Sequence, residues 1–269
     1  MPIATINHIS LHYQLEGDKD APVLMLCNSL GTTFEMWEPQ MAALLTRFQV
    51  LRYDTRGHGQ SAVPPGPYTI AQLGQDALAL LDHLGLKRVD FCGLSMGGMT
   101  GMWLGIHHPN RIRRLVLCNT AAKLGTPERW DSRLAVLARE GMAGLTDSIL
   151  ERWFTRRFQE RAPDVIERVR AMLLSTKPQG YEANLIAIRD MDQLQDISKI
   201  DVPTLVIAGC HDGSTPPELG HQVAQRISGS RYVELDAAHL SNWEQADAFT
   251  VVLMDFLNGA GMQEAARMP

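Results

Sequence analysis

The sequence predicts an α/β fold built around a mostly parallel sheet. Two observations lead to this prediction: short apolar runs recur along the chain, and segments with helical spacing separate most of them. Continuous apolar runs are typical of strands covered on both faces, and strands that alternate with helices pair in parallel through right-handed crossovers. A third observation refines the fold, because residues 123–200 show helical patterns and no convincing strand.

Eight strands are predicted. The first two alternate apolar and polar residues on either side of a short turn, which is typical of an antiparallel pair. The other six are short, mainly apolar runs of the kind found inside a sheet. The predicted strands are residues 3–7, 10–16, 23–27, 50–54, 89–92, 115–118, 204–208 and 232–235.

Helical spacing predicts helices between these strands. The predicted core helices are residues 70–84, 99–108, 217–227 and 244–257. The segment 123–200 falls after the sixth strand and is predicted to form a helical cap over one end of the sheet. We therefore expect a core domain of residues 1–122 and 201–269, with a cap or lid of residues 123–200.

Composition narrows the possible functions. The chain has 269 residues, 45% of them apolar, which suits one large core with an insertion. Its net charge of −5 argues against nucleic acid and anionic membranes as partners. The sequence shows neither a signal-peptide pattern nor an apolar run long enough to span a bilayer. The four cysteines lack metal-ligand spacing and are predicted to be free, buried thiols of a cytoplasmic protein.

A glycine-rich stretch after the fifth predicted strand allows two interpretations. As a phosphate-binding loop it lacks the required lysine, because Met99 occupies that position. As a dinucleotide fingerprint it has Ser95 where a glycine must let the pyrophosphate approach. The pattern Gly93-x-Ser95-x-Gly97 between a strand and a helix instead fits a tight turn that exposes a nucleophilic serine.

Candidate partners for the serine follow it in the sequence. Asp212 and His239 each come just after a late predicted strand, so they should meet Ser95 at the carboxyl edge of the sheet. A catalytic triad of Ser95, His239 and Asp212 is predicted. Asp236 is an alternative orienting acid, although it is more typical of a turn. His211 and His58 are alternative bases that we interpret as loop residues, with His58 and Arg56 bonded to backbone.

Ester hydrolysis also needs donors for the oxyanion that forms on the carbonyl. The backbone N–H of Met96, directly after the nucleophile, is the first predicted donor. The N–H of Leu30, in the loop after the third strand, is the second. Ser29 in the same loop is predicted to contact the substrate. No metal or other cofactor is expected.

These residues resemble the α/β-hydrolase superfamily over essentially the whole chain. The likeness implies the α/β-hydrolase fold, a mostly parallel eight-stranded sheet flanked by helices. Several segments are similar to the 3-oxoadipate enol-lactonases in particular. They are residues 28–31, 53–59, 93–101, 118–122 and 237–245. Asn28 and Ser29 replace the His-Gly of many superfamily members, and Gly213 stands where bulkier residues are common.

The resemblance implies hydrolysis of an anionic enol-lactone to 3-oxoadipate in the bacterial breakdown of protocatechuate and catechol. Because the substrate carries a carboxylate, the pocket should offer a cation, and we nominate Arg133 near the start of the first cap helix. Trp130 and Trp153 are predicted to belong to the core or the pocket wall. Another small esterase, a C–C bond hydrolase, a perhydrolase or a non-catalytic small-molecule receptor remain alternatives. The sequence does not predict an oligomeric state.

Overall fold

The computed structural model describes residues 2–125 and 127–259, and an eight-stranded sheet lies at its centre. The strands are β1 Ile3–Ile6, β2 Ile9–Glu16, β3 Val23–Cys27, β4 Gln49–Tyr53, β5 Val89–Leu94, β6 Ile112–Cys118, β7 Thr204–Gly209 and β8 Arg231–Leu235. Their order in the sheet is β1-β2-β4-β3-β5-β6-β7-β8. The pairs β1–β2 and β2–β4 are antiparallel. The other five pairs, from β4–β3 to β7–β8, are parallel. The predicted fold class is confirmed.

Ten α-helices occur in the described ranges, and α2 and α3 pack against each other beside the sheet, whereas α1 packs against α10. The helices are α1 Glu38–Leu44, α2 Ile70–His83, α3 Met96–His107, α4 Pro127–Trp153, α5 Arg156–Arg161, α6 Pro163–Ser175, α7 Pro178–Arg189, α8 Pro217–Arg226, α9 Ser241–Glu244 and α10 Ala246–Leu257. Within those ranges, no helix is both long and apolar enough to cross a bilayer.

Some helix boundaries differ from the prediction. Helix α3 begins directly after Ser95 and not at residue 99, because packing overrides the poor helix propensity of its first glycines. The predicted helix 244–257 is two helices, since Gln245 leaves the helical conformation (φ −124°, ψ 50°) between α9 and α10. The short helix α1 was not predicted, and a 3₁₀ turn at Phe34–Trp37 precedes it.

The segment between β6 and β7 contains α4 to α7, as the predicted insertion requires. Helix α4 bends at Gly141, where φ is 64° and ψ is −159°, a combination essentially restricted to glycine. Hydrogen bonds join the segment to the core, for example from the Thr155 hydroxyl to the Glu244 carboxylate. The exact limits of the core and cap domains stay a prediction, and residues 1 and 260–269 of the predicted core lie outside the described ranges.

Candidate active site

Ser95 occupies the turn between β5 and α3 in a strained conformation. Its φ is 56° and its ψ is −114°, which L-residues rarely adopt. Only glycine fits at the two flanking positions. A Cβ on Gly93 would lie 2.2 Å from the Gly97 carbonyl oxygen, and a Cβ on Gly97 would lie 2.1 Å from the Cys27 carbonyl oxygen. The sharp turn predicted from the sequence is therefore present.

Neighbouring groups hold this turn in place. The Ser95 N–H donates to the Cys118 carbonyl at 2.8 Å. The Ser95 carbonyl accepts hydrogen bonds from the Thr120 hydroxyl at 2.8 Å and the Met99 N–H at 3.0 Å. With both of its backbone polar groups bonded, the serine is fixed at the carboxyl end of β5, where its side chain reaches the cavity described below.

His239 and Asp212 lie after β8 and β7, and their side chains are paired. His239 Nδ1 is 2.8 Å from Asp212 Oδ2, and both residues are buried. Asp212 also accepts hydrogen bonds from the backbone N–H groups of Ser214 and Thr215, from the Thr215 hydroxyl and from the Asn119 amide. Burial raises the pKa of Asp212, but His239 and these hydrogen bonds outweigh it, and the net pKa is lowered. The carboxylate therefore stays ionised.

Asn119 is a second support for this pair that the sequence reasoning did not assign. It directly follows β6, has a φ of 44°, and donates to Asp212 Oδ2 at 3.0 Å and to the Ala238 carbonyl at 3.2 Å. The Asn119 side-chain oxygen Oδ1 accepts from the Ser241 hydroxyl at 2.6 Å. The sequence did give one indication of this role: Asn119 directly follows a predicted central strand, and ligands of parallel sheets bind at the carboxyl ends of the strands.

The N–H groups of Leu30 and Met96 are free to bind an anion. The N–H groups of Ser29, Gly31 and Thr32 donate to Met36 Sδ, His58 Nε2 and the Ser29 carbonyl. No such acceptor occurs for the Leu30 N–H among the described residues. Met96 is the first residue of α3, so its N–H has no partner within the helix. The helix N-terminus adds a partial positive charge at this point.

A cavity of about 320 Å³ joins these groups. Its lining includes Ser29, Leu30, Ser95, Trp130, Arg133 and His239 from the predicted site, whereas Asp212 lies behind His239 and the Met96 side chain is buried elsewhere. Arg152 and Trp153 from the end of α4 also line the cavity. Arg152 was not predicted to do so, whereas Trp153 was expected in the core or the pocket wall. Two arginines thus reach the cavity, and its described lining contains no aspartate or glutamate.

Three polar residues of the cavity lining, Arg133, Ser29 and Trp130, differ in how their side chains are bonded. Arg133 donates from Nη2 to the Tyr181 hydroxyl, and its guanidinium carbon lies 5.4 Å from the Tyr181 ring centroid. Arg133 Nε and the Ser29 hydroxyl are both buried without a partner among the described residues. Trp130 is held by its indole N–H, which donates to the Leu124 carbonyl at 2.9 Å.

The alternative acids and bases lie elsewhere. Asp236 is exposed and pairs with His211 and Arg157, so it does not orient His239. His58 is buried outside the cavity lining and contacts backbone, as expected. The expectation that Arg56 bonds backbone is wrong, because it pairs with the buried Asp76 carboxylate, its Nη2 lying 2.7 Å from Oδ1.

The cysteines form no disulfides, and three of the four are buried. The expectation of burial is wrong for Cys210, which lies one residue beyond β7 and is partly exposed. Its thiol, the His211 imidazole and the Asp236 carboxylate have ligand atoms within 4.8 Å of one another, a spacing that a metal ion could bridge. None of these three residues lines the cavity.

Comparison with known proteins gives consistent matches. A profile of the alpha/beta hydrolase fold family matches residues 22–246. The chain is 40% identical over 245 residues to 3-oxoadipate enol-lactonase 2 of Acinetobacter baylyi, covering 91% of this chain and 92% of that protein. It is 38% identical over 248 residues to enol-lactonase 1 of the same organism, covering 92% and 93%. The crystal structure of the enol-lactonase from Burkholderia xenovorans LB400 superposes with a TM-score of 0.94 at 50% identity, covering 96% of this chain and all of the other.

Proposed function

This chain belongs to the α/β-hydrolase family, and we propose that it is a 3-oxoadipate enol-lactonase, which hydrolyses the enol-lactone to 3-oxoadipate. The observation that carries the proposal is the charge of the cavity. Ser95 and His239 share it with Arg133 and Arg152, and no acidic side chain is among its described lining residues. Such a cavity fits a small ester that bears a carboxylate. The sequence identity of 40% and 38% to the two A. baylyi 3-oxoadipate enol-lactonases supports the enol-lactone as the substrate.

In the proposed reaction, Ser95 Oγ attacks the lactone carbonyl while His239 Nε2 takes the hydroxyl proton. Nε2 is the nitrogen left for this role because Nδ1 is bonded to Asp212. The ionised carboxylate of Asp212 then offsets the positive charge on the imidazolium. The Leu30 and Met96 N–H groups bind the oxyanion, which lowers the barrier to the tetrahedral intermediate.

The intermediate collapses by breaking the ring C–O bond, and His239 returns its proton to the departing enol oxygen. Conjugation makes that oxygen a good leaving group. Because the substrate is cyclic, the enol stays on the acyl chain and tautomerises there to the ketone, so this step gives a single species, an ester on Ser95. Water, deprotonated by His239, attacks that ester and releases the second carboxylate of 3-oxoadipate together with the free serine.

The proposed reaction needs no cofactor, because the nucleophile, base and oxyanion donors all come from the chain. We place it in the bacterial breakdown of protocatechuate and catechol, which the resemblance of its sequence motifs to the 3-oxoadipate enol-lactonases implies. The four free cysteines fit a reducing compartment such as the cytoplasm.

An ultraviolet assay tests the proposed substrate. Purified protein is given the enol-lactone in one reaction and a neutral aryl acetate in another, and kcat/KM is compared. We expect the lactone to be preferred by about a hundredfold, because a charge-assisted hydrogen bond contributes roughly 1.5–3 kcal/mol. Preference for the aryl ester would favour a general esterase, and turnover of neither would favour a receptor.

Replacing Arg133 with glutamine is expected to raise KM for the lactone by about ten- to a hundredfold, because the substrate carboxylate loses a charged donor. The aryl acetate carries no carboxylate, so its KM should change less than about threefold. Steady-state kinetics with both substrates measure the difference.

The matched control is Arg139→Gln on the same helix, since the Arg139 side chain is 69% exposed and pairs with Glu140. The control should behave as wild type with both substrates. Equal losses with lactone and aryl ester in Arg133→Gln would show that Arg133 does not recognise the carboxylate.

A further inference from the structure

Both peptide groups that flank Leu30 are fixed by side chains. The Ser29 carbonyl belongs to the same peptide group as the Leu30 N–H, and it accepts from the Thr32 hydroxyl at 2.8 Å and the Thr32 N–H at 3.2 Å. The next peptide group ends in the Gly31 N–H, which donates to His58 Nε2 at 2.8 Å. The direction of the Leu30 N–H therefore depends on Thr32 on one side and His58 on the other.

Gly31 is also held from the segment between β6 and β7. Its carbonyl accepts from the Thr176 hydroxyl at 3.1 Å, and its φ of 83° is one that favours glycine. A Cβ at this position would lie 2.9 Å from Leu173 Cδ2 and 3.1 Å from Tyr181 Cε2. The glycine is thus packed against α6 and α7 with no room for a side chain.

His58 is suited to accept a hydrogen bond in a fixed orientation. The Gly31 N–H can only donate, so Nε2 of the neutral ring is the acceptor and Nδ1 carries the proton. Nδ1 lies 3.3 Å from the Arg56 carbonyl, which can only accept. Burial lowers the pKa of His58 to about 4, so the ring stays neutral near neutral pH. The backbone beneath it is fixed by Asn184, whose amide donates to the Arg56 carbonyl at 2.9 Å.

We propose that His58 is a positioning residue for the oxyanion hole: through the Gly31 N–H it orients the Leu30 N–H toward the reacting carbonyl. The inference rests on the proposed function, because it assumes that Leu30 binds an oxyanion. His58 does not line the cavity, so it acts on the transition state through the loop and not by touching substrate. Losing it should affect catalysis more than substrate binding.

Two substitutions test the role. His58→Leu removes the acceptor, whereas His58→Gln can place its amide oxygen close to the position of Nε2. We expect His58→Leu to lower kcat on the order of a hundredfold with KM within about threefold, because a small misplacement of a catalytic group has that effect. His58→Gln should recover most of the loss. Circular dichroism and thermal midpoints establish that each variant is folded.

Inhibitors separate positioning from a merely structural role. A trifluoromethyl ketone forms an oxyanion on Ser95, and its inhibition constant should rise in His58→Leu by the factor that kcat falls. The inhibition constant of 3-oxoadipate, a ground-state ligand, should not change. Wild-type kcat in folded His58→Leu, equal losses in both variants, or equal weakening of both inhibitors would overturn the proposal.

A measurement on the unaltered protein covers the case in which neither variant folds. Long-range ¹H–¹⁵N spectra of ¹⁵N-histidine-labelled protein should show His58 with a protonated Nδ1 and an unprotonated Nε2, whereas a proton on Nε2 would overturn the proposal. If the wild type cleaves only the aryl ester, the proposed substrate is wrong. The His58 comparison is then made with that ester and still decides the positioning role.

Discussion

Replacing Ser95 with alanine is expected to lower kcat for the enol-lactone by about 10⁴- to 10⁶-fold. The substitution removes the nucleophile and leaves the oxyanion donors and arginines, so residual turnover should come from substrate binding and charge stabilisation alone. Loss of lactone absorbance at saturating substrate measures the effect. The thermal midpoint should change little, because the positive φ at this position persists and only one oxygen is lost.

A covalent intermediate gives an independent check of the same role. Mass spectrometry of wild-type protein treated with an aryl phosphonate should locate one adduct on the peptide that contains Ser95, and the alanine variant should carry none. Near-normal lactone hydrolysis by Ser95→Ala, or an adduct on a different residue, would contradict a serine nucleophile.

Replacing Asp212 with asparagine is expected to lower kcat by about 10⁴-fold, because an amide at this position favours the wrong imidazole tautomer. The pKa of Asp212 is lowered in the fold, so its carboxylate is ionised throughout the working pH range and its titration should not shape the wild-type pH profile. Initial rates between pH 6 and pH 9, a range chosen to bracket roughly the unperturbed histidine pKa, measure both effects.

Asp236→Asn is the matched control for this substitution. Asp236 precedes His239 by three residues but pairs with His211 and Arg157 at the surface, so its replacement should leave kcat within about twofold. Comparable losses in the two variants would mean that Asp212 has no special role in orienting His239.

Burial patterns explain why the sheet could be predicted from sequence. Strands β5 and β7 are buried along their whole length. Their sequences are therefore mainly apolar runs, which are typical of strands covered on both faces. The missed helix α1 has only seven residues, too few for periodicity to be distinct from a loop. The break at Gln245 was also missed, because neither glycine nor proline marks it.

The parts of the candidate site that could be predicted are those that depend on a local sequence pattern or on the order of the strands in the chain. The glycines beside Ser95 indicate a tight turn. Asp212 and His239 each follow a predicted parallel strand, which places them at the same edge of the sheet as Ser95. Asn119 was not assigned, because its role depends on a neighbour 93 residues further along the chain. Arg152 was missed for a similar reason, since nothing in the periodicity of α4 shows where the helix bends.

The bend at Gly141 determines which residues of α4 can act together. In a straight helix, Arg133 and Arg152 would be separated by about 28 Å along the axis, more than the length of any six-carbon diacid. In this chain both reach one small cavity. A Cβ on Gly141 would meet nothing within 4 Å, so only the backbone conformation demands glycine there. The presence of both arginines at one cavity thus depends on a residue that has no side chain.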